Sequence, residues 1–479
     1  MDDSEVKTGF LVLIKRLWPH FLIYNSYAFT VSTLFINIVI IAGIMWPLDM
    51  PNSFAVHASE LGLLTGTSIY IIAFSGILFG YLADKFSRIK LMACVELIYG
   101  IGLFFNGLVP EGQGQTTYIL FLVFSLIRGF SIGGIWPLIT SHVNDSTEDK
   151  ERSQFFGAIQ GLFQLFQIIG MVISAIVFQN NYWQEYFFIV GVIAGFFGII
   201  ILIRGYEPKR GAARKELKGV LASEEIVYDY KLTKETIRST ILAPTNLIAF
   251  FEGIFTTILL AVPDFLLVAY LTSPPYNMSP LAAALFMIIF GLPGGLIGSL
   301  AFAKVSDRLG KKNIKYRIYI IVFSIVILFS GFIFFFTLPI PNMTAEQGNN
   351  LIFLFSLPIF WIMGLIGFIV RSVLGLWNIN QPPILQEINL PEAQGKISSA
   401  NQFLEAIGSG TGPIIAGIVL VVFNQNFQIT VLITMVLGII GGFLWLLATI
   451  WVNKDVERIS NILELRKEEL NNKNNLRSI

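Results

Sequence analysis

The sequence predicts an all-α integral membrane fold of twelve transmembrane helices in two pseudo-symmetric six-helix halves. Three observations predict it. Hydrophobic residues make up 54% of the 479 and charged ones 13%, about half the ~25% charged share of a soluble chain, so water is not the main solvent here. Apolar runs able to supply the ~20 residues that cross a bilayer recur about twelve times. Finally, Gly80-Tyr81-Leu82-Ala83-Asp84-Lys85-Phe86-Ser87-Arg88 returns in degenerate form as Ala303-Lys304-Val305-Ser306-Asp307-Arg308-Leu309-Gly310-Lys311-Lys312, so the chain contains itself twice.

In order, spans 1 to 6 are expected at 22–46, 58–83, 90–109, 118–142, 153–179 and 184–203, and spans 7 to 12 at 245–270, 280–304, 317–338, 351–379, 397–423 and 428–452. Each is read as a helix, because a bilayer core has no water to satisfy an unpaired backbone and a helix pairs its own groups. The residues before span 1 carry acids and no apolar core, so a cleavable signal peptide is not expected and span 1 serves as the insertion signal. Span 2 holds Gly76 and Gly80, and span 8 holds Ser299 and Ala303 at the same offset. Small residues four apart let helix backbones approach closely. Span 3 carries the single cysteine, Cys94, which excludes an intrachain disulfide. Span 4 carries Arg128 beside Gly129, Gly133 and Gly134, which either admit a bulky ligand or serve close packing.

Gln160, Gln164 and Gln167 share one helical face of span 5, as a cavity lining or as glue between helices. Gln160 and Gly170 there match Gln402 and Gly412 in span 11. In span 9 the run Phe334-Phe335-Phe336 is expected to face lipid. The glycines at 408–412 lie inside an apolar helix rather than after a strand, so they read as tight packing and not as a phosphate loop. Trp18, Trp46, Trp183 and Trp451 fit an interfacial belt.

Charge placement tests the count. Of 32 lysines and arginines, 30 fall in the loops or termini of one side, which under the positive-inside rule places both termini in the cytoplasm. The remaining two, Arg128 and Arg371, lie within spans 4 and 10. The expected organisation is a cytoplasmic segment 1–21, a first half 22–203, a cytoplasmic linker 204–244, a second half 245–452 and a cytoplasmic tail 453–479. Alternating charges in the linker suggest short interfacial helices. A net charge of +1 with no basic face or arm gives no pull toward nucleic acid.

The order small-x-x-x-Asp-Arg-x-Gly-Arg-Lys in the repeated loop resembles the signature that the major facilitator superfamily places between the second and third spans of each half. Ser59-Glu60-Leu61-Gly62-Leu63-Leu64, Arg128-Gly129, Glu207-Pro208-Lys209-Arg210-Gly211, Leu390-Pro391-Glu392-Ala393-Gln394-Gly395 and Gly408-Ser409-Gly410-Thr411-Gly412-Pro413 resemble its spinster-like branch. The resemblance implies halves that rock about a midplane site lined by spans 1, 4, 7 and 10, and a substrate among lysophospholipids or sphingoid phosphates. It also implies a gating role for Asp84, Lys85, Arg88, Asp307 and Arg308, with the two Asp as conformational latches at helix N-termini. The chain departs from the branch in two places: span 1 has no charge where an Asp-Arg is usual, and Ile135 replaces a Glu seven residues after Arg128. Proton coupling through those carboxylates is therefore absent or moved.

No catalytic constellation competes. His20, His57 and His142 are scattered, and neither His-Glu-x-x-His nor a nucleotide-binding Gly-x-x-x-x-Gly-Lys is present, so no enzyme, metal or cofactor is expected. The chemistry rests on ionisable residues at membrane depth, namely Arg128, Glu252, Asp264, Arg371 and Glu405, with Glu96 nearer an interface. Charges there are expensive and face a cavity or a partner. Glu252 and Arg371 are expected to pair, Arg128 to bind an anionic group, and Asn25, Thr30, Thr33 and Asn37 to mark a wet face of span 1. The reading is a multi-pass transporter of the cell membrane, in contact with its lipids, moving a small or lipid-like organic anion and coupled, if at all, to a proton or cation. The alternatives are an efflux antiporter for drugs or small organic solutes, and a membrane sensor that does not transport.

Overall fold

The computed structural model describes residues 3–83, 85–147, 149–208, 233 and 237–477. Its described elements are all helical. Eleven helices are long and apolar enough to cross a membrane, and twelve when one bent pair counts as a single span. Spans 2 to 6 are Ala58–Ala83, Arg88–Gly107, Gln115–Ser146, Asp149–Gln179 and Trp183–Arg204. Spans 7 and 8 are Pro244–Thr272 and Pro280–Lys312, and spans 9 to 12 are Lys315–Thr337, Pro358–Glu387, Pro391–Val422 and Phe427–Ala448. Of the linker 204–244, expected to form short interfacial helices, residues 209–232 and 234–236 lie outside the described set, while Ile237–Ile241 form a single helical turn.

Two spans differ from expectation. Span 1 is not straight: Ile14–Ile36 and Ile38–Met45 meet at 67°. Asn37, between them, leaves helical geometry at φ −109° and ψ 16°, and its Nδ2 donates to Thr33 O at 3.0 Å. Thr33 O also accepts from Asn37 N at 3.3 Å, so the side chain adds a second donor to the last carbonyl bonded across the bend. The helix already starts at Asp3, so it runs through the segment expected before span 1. Span 10 starts seven residues later than the hydropathy suggests. Pro358 pre-sets the first helical turn while Leu357 before it is extended, leaving Leu351–Ser356 as a short helix of its own.

The chain divides into two compact units, Met1–Glu225 with Leu271–Pro274 and Met278–Ala284, and Ile226–Tyr270 with Pro275–Asn277 and Leu285–Ile479. Within the first, span 2 packs on 4, span 3 on 4 and 6, and span 1 on 5. Within the second, span 8 packs on 10, and span 9 on 10 and 12, with span 7 against 11. The same pairings thus recur six spans later. Glycine makes the close crossings possible. A Cβ on Gly170 of span 5 would lie 1.8 Å from Phe29 O of span 1, and one on Gly408 of span 11 would lie 2.2 Å from Ile254 O of span 7. Likewise a Cβ on Gly133 would lie 2.2 Å from Ile72 O, and one on Gly298 would lie 1.9 Å from Ser372 O. The glycines after Arg128 therefore serve packing.

Several aromatic expectations are corrected. Phe334 is exposed but Phe335 and Phe336 are buried, because consecutive helical residues point ~100° apart and cannot share the lipid face. Trp46 and Trp183, expected in the interfacial belt, stand at the ends of spans 1 and 6 and are packed against protein. Trp46 stacks on His57 with ring centroids 3.9 Å apart, and Trp183 donates to Glu111 Oε1 at 2.7 Å. The tail forms a helix, Val452–Arg477. It is docked by Asp455 Oδ2, which accepts from Thr245 N at 3.2 Å, and by an Arg466–Glu392 ion pair at 2.9 Å.

Backbone oxygens cannot retreat from a new methyl, so Gly170→Ala and Gly408→Ala should each destabilise the protein by about 1–3 kcal/mol or more. Gly161, with nothing within 4 Å of its would-be Cβ, is the control. Thermal unfolding in detergent measures this, and three equally stable variants would refute the packing account.

Candidate functional site

Each repeated loop ends in an arginine that staples its unit together. Arg88, at the start of span 3, is almost fully buried. Its Nε donates to Glu207 Oε1 at 2.8 Å and its Nη2 to Pro208 O at 3.0 Å, beyond the end of span 6. Its Nη1 donates to Ser141 O at 3.1 Å and to Asp145 Oδ2, at the end of span 4. Glu207 Oε2 accepts from Ser87 Oγ at 2.6 Å and from Ile89 N at 3.1 Å. Burial pushes the Glu207 carboxyl up, but the bonds from Ser87, Ile89 and Arg88 outweigh it and hold the group below the usual carboxylate range. Lys85 sits 4.3 Å from the Tyr81 ring centroid, and Asp84 lies outside the described residues.

In the second unit the arginine that plays the part of Arg88 is Arg317, six residues beyond the aligned Lys311. Arg317 Nη2 donates to Asp307 Oδ1 at 2.9 Å and Nη1 to Asn380 Oδ1 at 3.4 Å, while Ser306 Oγ also donates to Asn380 Oδ1. Arg308 is exposed and makes no ion pair among the described residues. Arg88 and Arg317 both stand in the first turn of the following span. Position relative to that helix would have found Arg317; register within the loop aligns Arg88 with Lys311 and Lys85 with Arg308.

At membrane depth the first unit holds a tyrosine-rich box. Ser26 Oγ donates to Glu96 Oε1 at 2.6 Å, Thr30 pairs with Tyr99 OH, and Thr33 pairs with Tyr186 OH at 2.7 Å. Asn25, Thr30, Thr33 and Asn37 are all buried, so they do not form the wet face expected of span 1. They bond within their own helix or to spans 3 and 6, apart from Asn25. Gln160 Nε2 donates to Tyr24 OH at 3.3 Å and Gln167 Nε2 to Ser32 Oγ at 3.2 Å, which makes both interhelical glue. Glu96, expected near an interface, is wholly buried. Arg128 is half-buried within electrostatic reach of the phenols of Tyr27, Tyr99 and Tyr186. No carboxylate pairs with it among the described residues.

The second unit answers with carboxylates. Arg128 and Arg371 occupy the same place in their helices, each 13 residues past the first (115 to 128, 358 to 371). Arg371 Nη2 donates to Asp264 Oδ1 at 2.8 Å, which corrects the expected pairing with Glu252. The later start of span 10 puts Arg371 nearer the middle of its helix, within reach of Asp264 in the last third of span 7 and away from Glu252 in its first third. The side chains of Arg371 and Asp264 stay 28% and 43% exposed, so the pair opens onto accessible space. Glu252 is fully buried, takes the Thr256 hydroxyl on Oε1, and has no bonded donor on Oε2, although the Trp445 indole approaches the carboxyl. Glu405 Oε1 accepts from Gln381 Nε2 at 2.9 Å and from Asn401 Nδ2 at 2.6 Å. Glu405, Gln381 and Asn401 border a cavity of about 330 Å³ that is also lined by Gln386, Gln394 and Gln402.

Residues 27–409 match the family model of the Major Facilitator Superfamily. Among curated proteins, the proline/betaine transporter of Escherichia coli (strain K12) is 34% identical over 125 residues, which span 24% of this chain and 25% of that protein. The probable sugar efflux transporter of Helicobacter pylori (strain J99) is 21% identical over 92% of this chain and 97% of its own length. Among solved structures, a bacterial homologue of the human lysosomal transporter Spinster, inward-facing and unoccupied, superposes with a TM-score of 0.64 at 17% identity, covering 91% of this chain and 97% of that one. The nucleoside transporter NupG superposes with a TM-score of 0.58 at 15% identity, covering 92% of this chain and 98% of that one. At these identities the superpositions speak to the fold.

Two outcomes follow from the geometry. A double-mutant cycle on thermal stability should couple Arg371→Ala to Asp264→Asn by about 1 kcal/mol and leave Arg371 uncoupled from Glu252→Gln; the reverse would refute the pairing. Glu207 has a folded-state value depressed below its unfolded one near ~4.3. Its stabilisation is therefore complete above that unfolded value and lost as pH falls through the lower folded one. Wild-type protein should accordingly lose thermal stability more steeply than Glu207→Gln between about pH 5 and 3, and parallel profiles would remove Glu207 from the staple.

Proposed function

The chain belongs to the Major Facilitator Superfamily, and from that premise we propose that it is a secondary or facilitative transporter of the cell membrane working by alternating access. Its substrate on this reading is an organic anion or an amphiphile with an anionic head, and Arg128 binds the anionic group. The observation that carries this is the asymmetry of two equivalent arginines. Arg371 is neutralised by Asp264 at 2.8 Å, whereas Arg128 lies within electrostatic reach of the phenols of Tyr27, Tyr99 and Tyr186 and pairs with no carboxylate among the described residues. A guanidinium at membrane depth without a carboxylate has an unmet demand for negative charge, and its planar fork matches carboxylate or phosphate bidentately. Both termini are placed in the cytoplasm by the positive-inside rule.

A second reading, efflux of a small neutral or zwitterionic solute, is favoured by the name of the relative that aligns over nearly its whole length, a probable sugar efflux transporter. Under that reading the tyrosine box around Arg128 is structural.

Purified protein should be screened by thermal shift against lysolipids, organic acids, sugars and cationic drugs, and the hits carried into liposome counterflow. Arg128→Lys should weaken an anionic hit at least about tenfold although the charge is kept, and Arg128→Ala should weaken it further. Unchanged affinity in Arg128→Lys with lowered stability would assign Arg128 to structure and leave the second reading.

A further inference from the structure

On the face opposite the lysine-rich one, the first unit sets a histidine between two acids. The segments joining spans 1 to 2, 3 to 4, 5 to 6, 7 to 8, 9 to 10 and 11 to 12 contain no lysine or arginine, so His57 is the one side chain in them that can become cationic. Its Nε2 donates to Asp49 Oδ2 at 2.8 Å, and its Nδ1 faces Glu60 Oε1 at 3.6 Å. Neutral imidazole has one N–H and one lone pair, so with the N–H spent on Asp49 the lone pair would face the Glu60 carboxylate. Imidazolium has a donor for each. The ring also lies flat on Trp46, with centroids 3.9 Å apart and planes 8° apart. Neutral aromatic rings prefer an offset or edge-on arrangement, whereas a cation is drawn to the face of an indole. Both observations fit the charged ring.

Two spans meet there. Trp46 follows span 1 and Asp49 lies in the turn Pro47–Asp49 after it, while His57 precedes span 2 and Glu60 stands in that span's first turn. Ser59 Oγ donates to Glu60 Oε2 at 2.6 Å. The helices Ile38–Met45 and Ser53–Val56 on either side of the turn hold no titratable group. Tyr118 of span 4, its ring 5.8 Å from that of Trp46, is within electrostatic reach of Glu60. Glu111 lies in the loop whose Gly112 and Gly114 amides bond the carbonyls of Ile44 and Met45, and its carboxylate accepts from the Trp183 indole.

We propose that His57 is a pH-sensitive clasp: as an imidazolium between Asp49 and Glu60 and against Trp46 it holds the loop 46–57 onto the start of span 2, and on losing its proton it lets that loop and the last segment of span 1 loosen. The bend at Asn37 already sets Ile38–Met45 apart from the rest of span 1, so release frees a short piece and not the whole span. The side chains of His57, Asp49 and Glu60 are 19%, 42% and 32% exposed, which gives solvent protons access. No proton crosses the membrane in this device, and it holds whatever the substrate is.

The test uses the purified full chain in detergent and follows hydrogen exchange by mass spectrometry in peptides covering residues 46–60, at about pH 5.5 and about pH 8, corrected for the intrinsic pH dependence of exchange. Wild-type protein should protect this segment at least about tenfold more at the lower pH, with no such difference in peptides of the second unit. His57→Arg keeps a planar cation that can stack on Trp46 and meet both acids, and should be protected at both pH values. His57→Phe keeps the stack without the charge and should exchange at both as the wild type does at the higher. Glu60→Gln offers an amide donor to the lone pair of a neutral ring and should flatten the pH dependence, which supplies a second test if His57→Phe fails to fold. Exchange in the wild type that does not change with pH would overturn the proposal. So would a pH dependence that persists in His57→Phe or His57→Arg, or one of equal size in the second unit.

Discussion

A bilayer interior offers no hydrogen-bond partner, and the rest of this structure depends on that constraint. It forces the backbone into helices, and at the bend of span 1 the Thr33 carbonyl keeps both the backbone N and the side-chain Nδ2 of Asn37 as donors. It also changes what holds helices together. Lipid tails are as apolar as leucine, so association relies on close backbone approach and on polar contacts between helices. The glycine crossings at Gly133, Gly170, Gly298 and Gly408 supply the first. The hydroxyl and amide contacts of Thr33, Gln160 and Gln167 supply the second.

The two units solve this problem with the same helix pairings and fill the result with different chemistry. Arg128 and Arg371 stand at one position of a repeated frame, one among phenols and the other on a carboxylate. Arg88 and Arg317 likewise staple equivalent ends, the first through two acids and the second through one acid and an asparagine. Where a duplicated scaffold keeps its packing and changes its charges, the changed charges are the place to look for function. Here they separate a first unit whose Arg128 pairs with no carboxylate among the described residues from a second that holds several acceptors.

Polar residues on spans have two fates, and hydropathy does not separate them. Asn25, Thr30 and Thr33 look like a cavity lining in sequence, yet they are buried inside their own unit, the two threonines meeting tyrosines of spans 3 and 6. Glu405 and Asn401 look like isolated polar positions, yet they meet across one helical turn and face a cavity. The difference lies in what stands on the neighbouring helix, and each tyrosine that decides it is distant in sequence.

The sequence by itself determined the all-helical class, the family and the pairwise repeat, because span length and loop charge are local properties fixed by bilayer thickness and by the cost of moving charge through it. It also held Arg88, Arg128, Arg371 and the carboxylates at depth, since ionisable residues in apolar runs stand out. It misread the bend at Asn37 and the start of span 10, where one side chain or one proline redirects a helix that remains apolar throughout. Only the tertiary structure decided partners. That Arg371 takes Asp264 and not Glu252, that Arg317 takes Asp307 and Asn380, and that Glu405 gathers Gln381 and Asn401 depend on helix rotation and depth. A shift of one residue turns a helical side chain by ~100°, and no one-dimensional pattern fixes that angle between two helices.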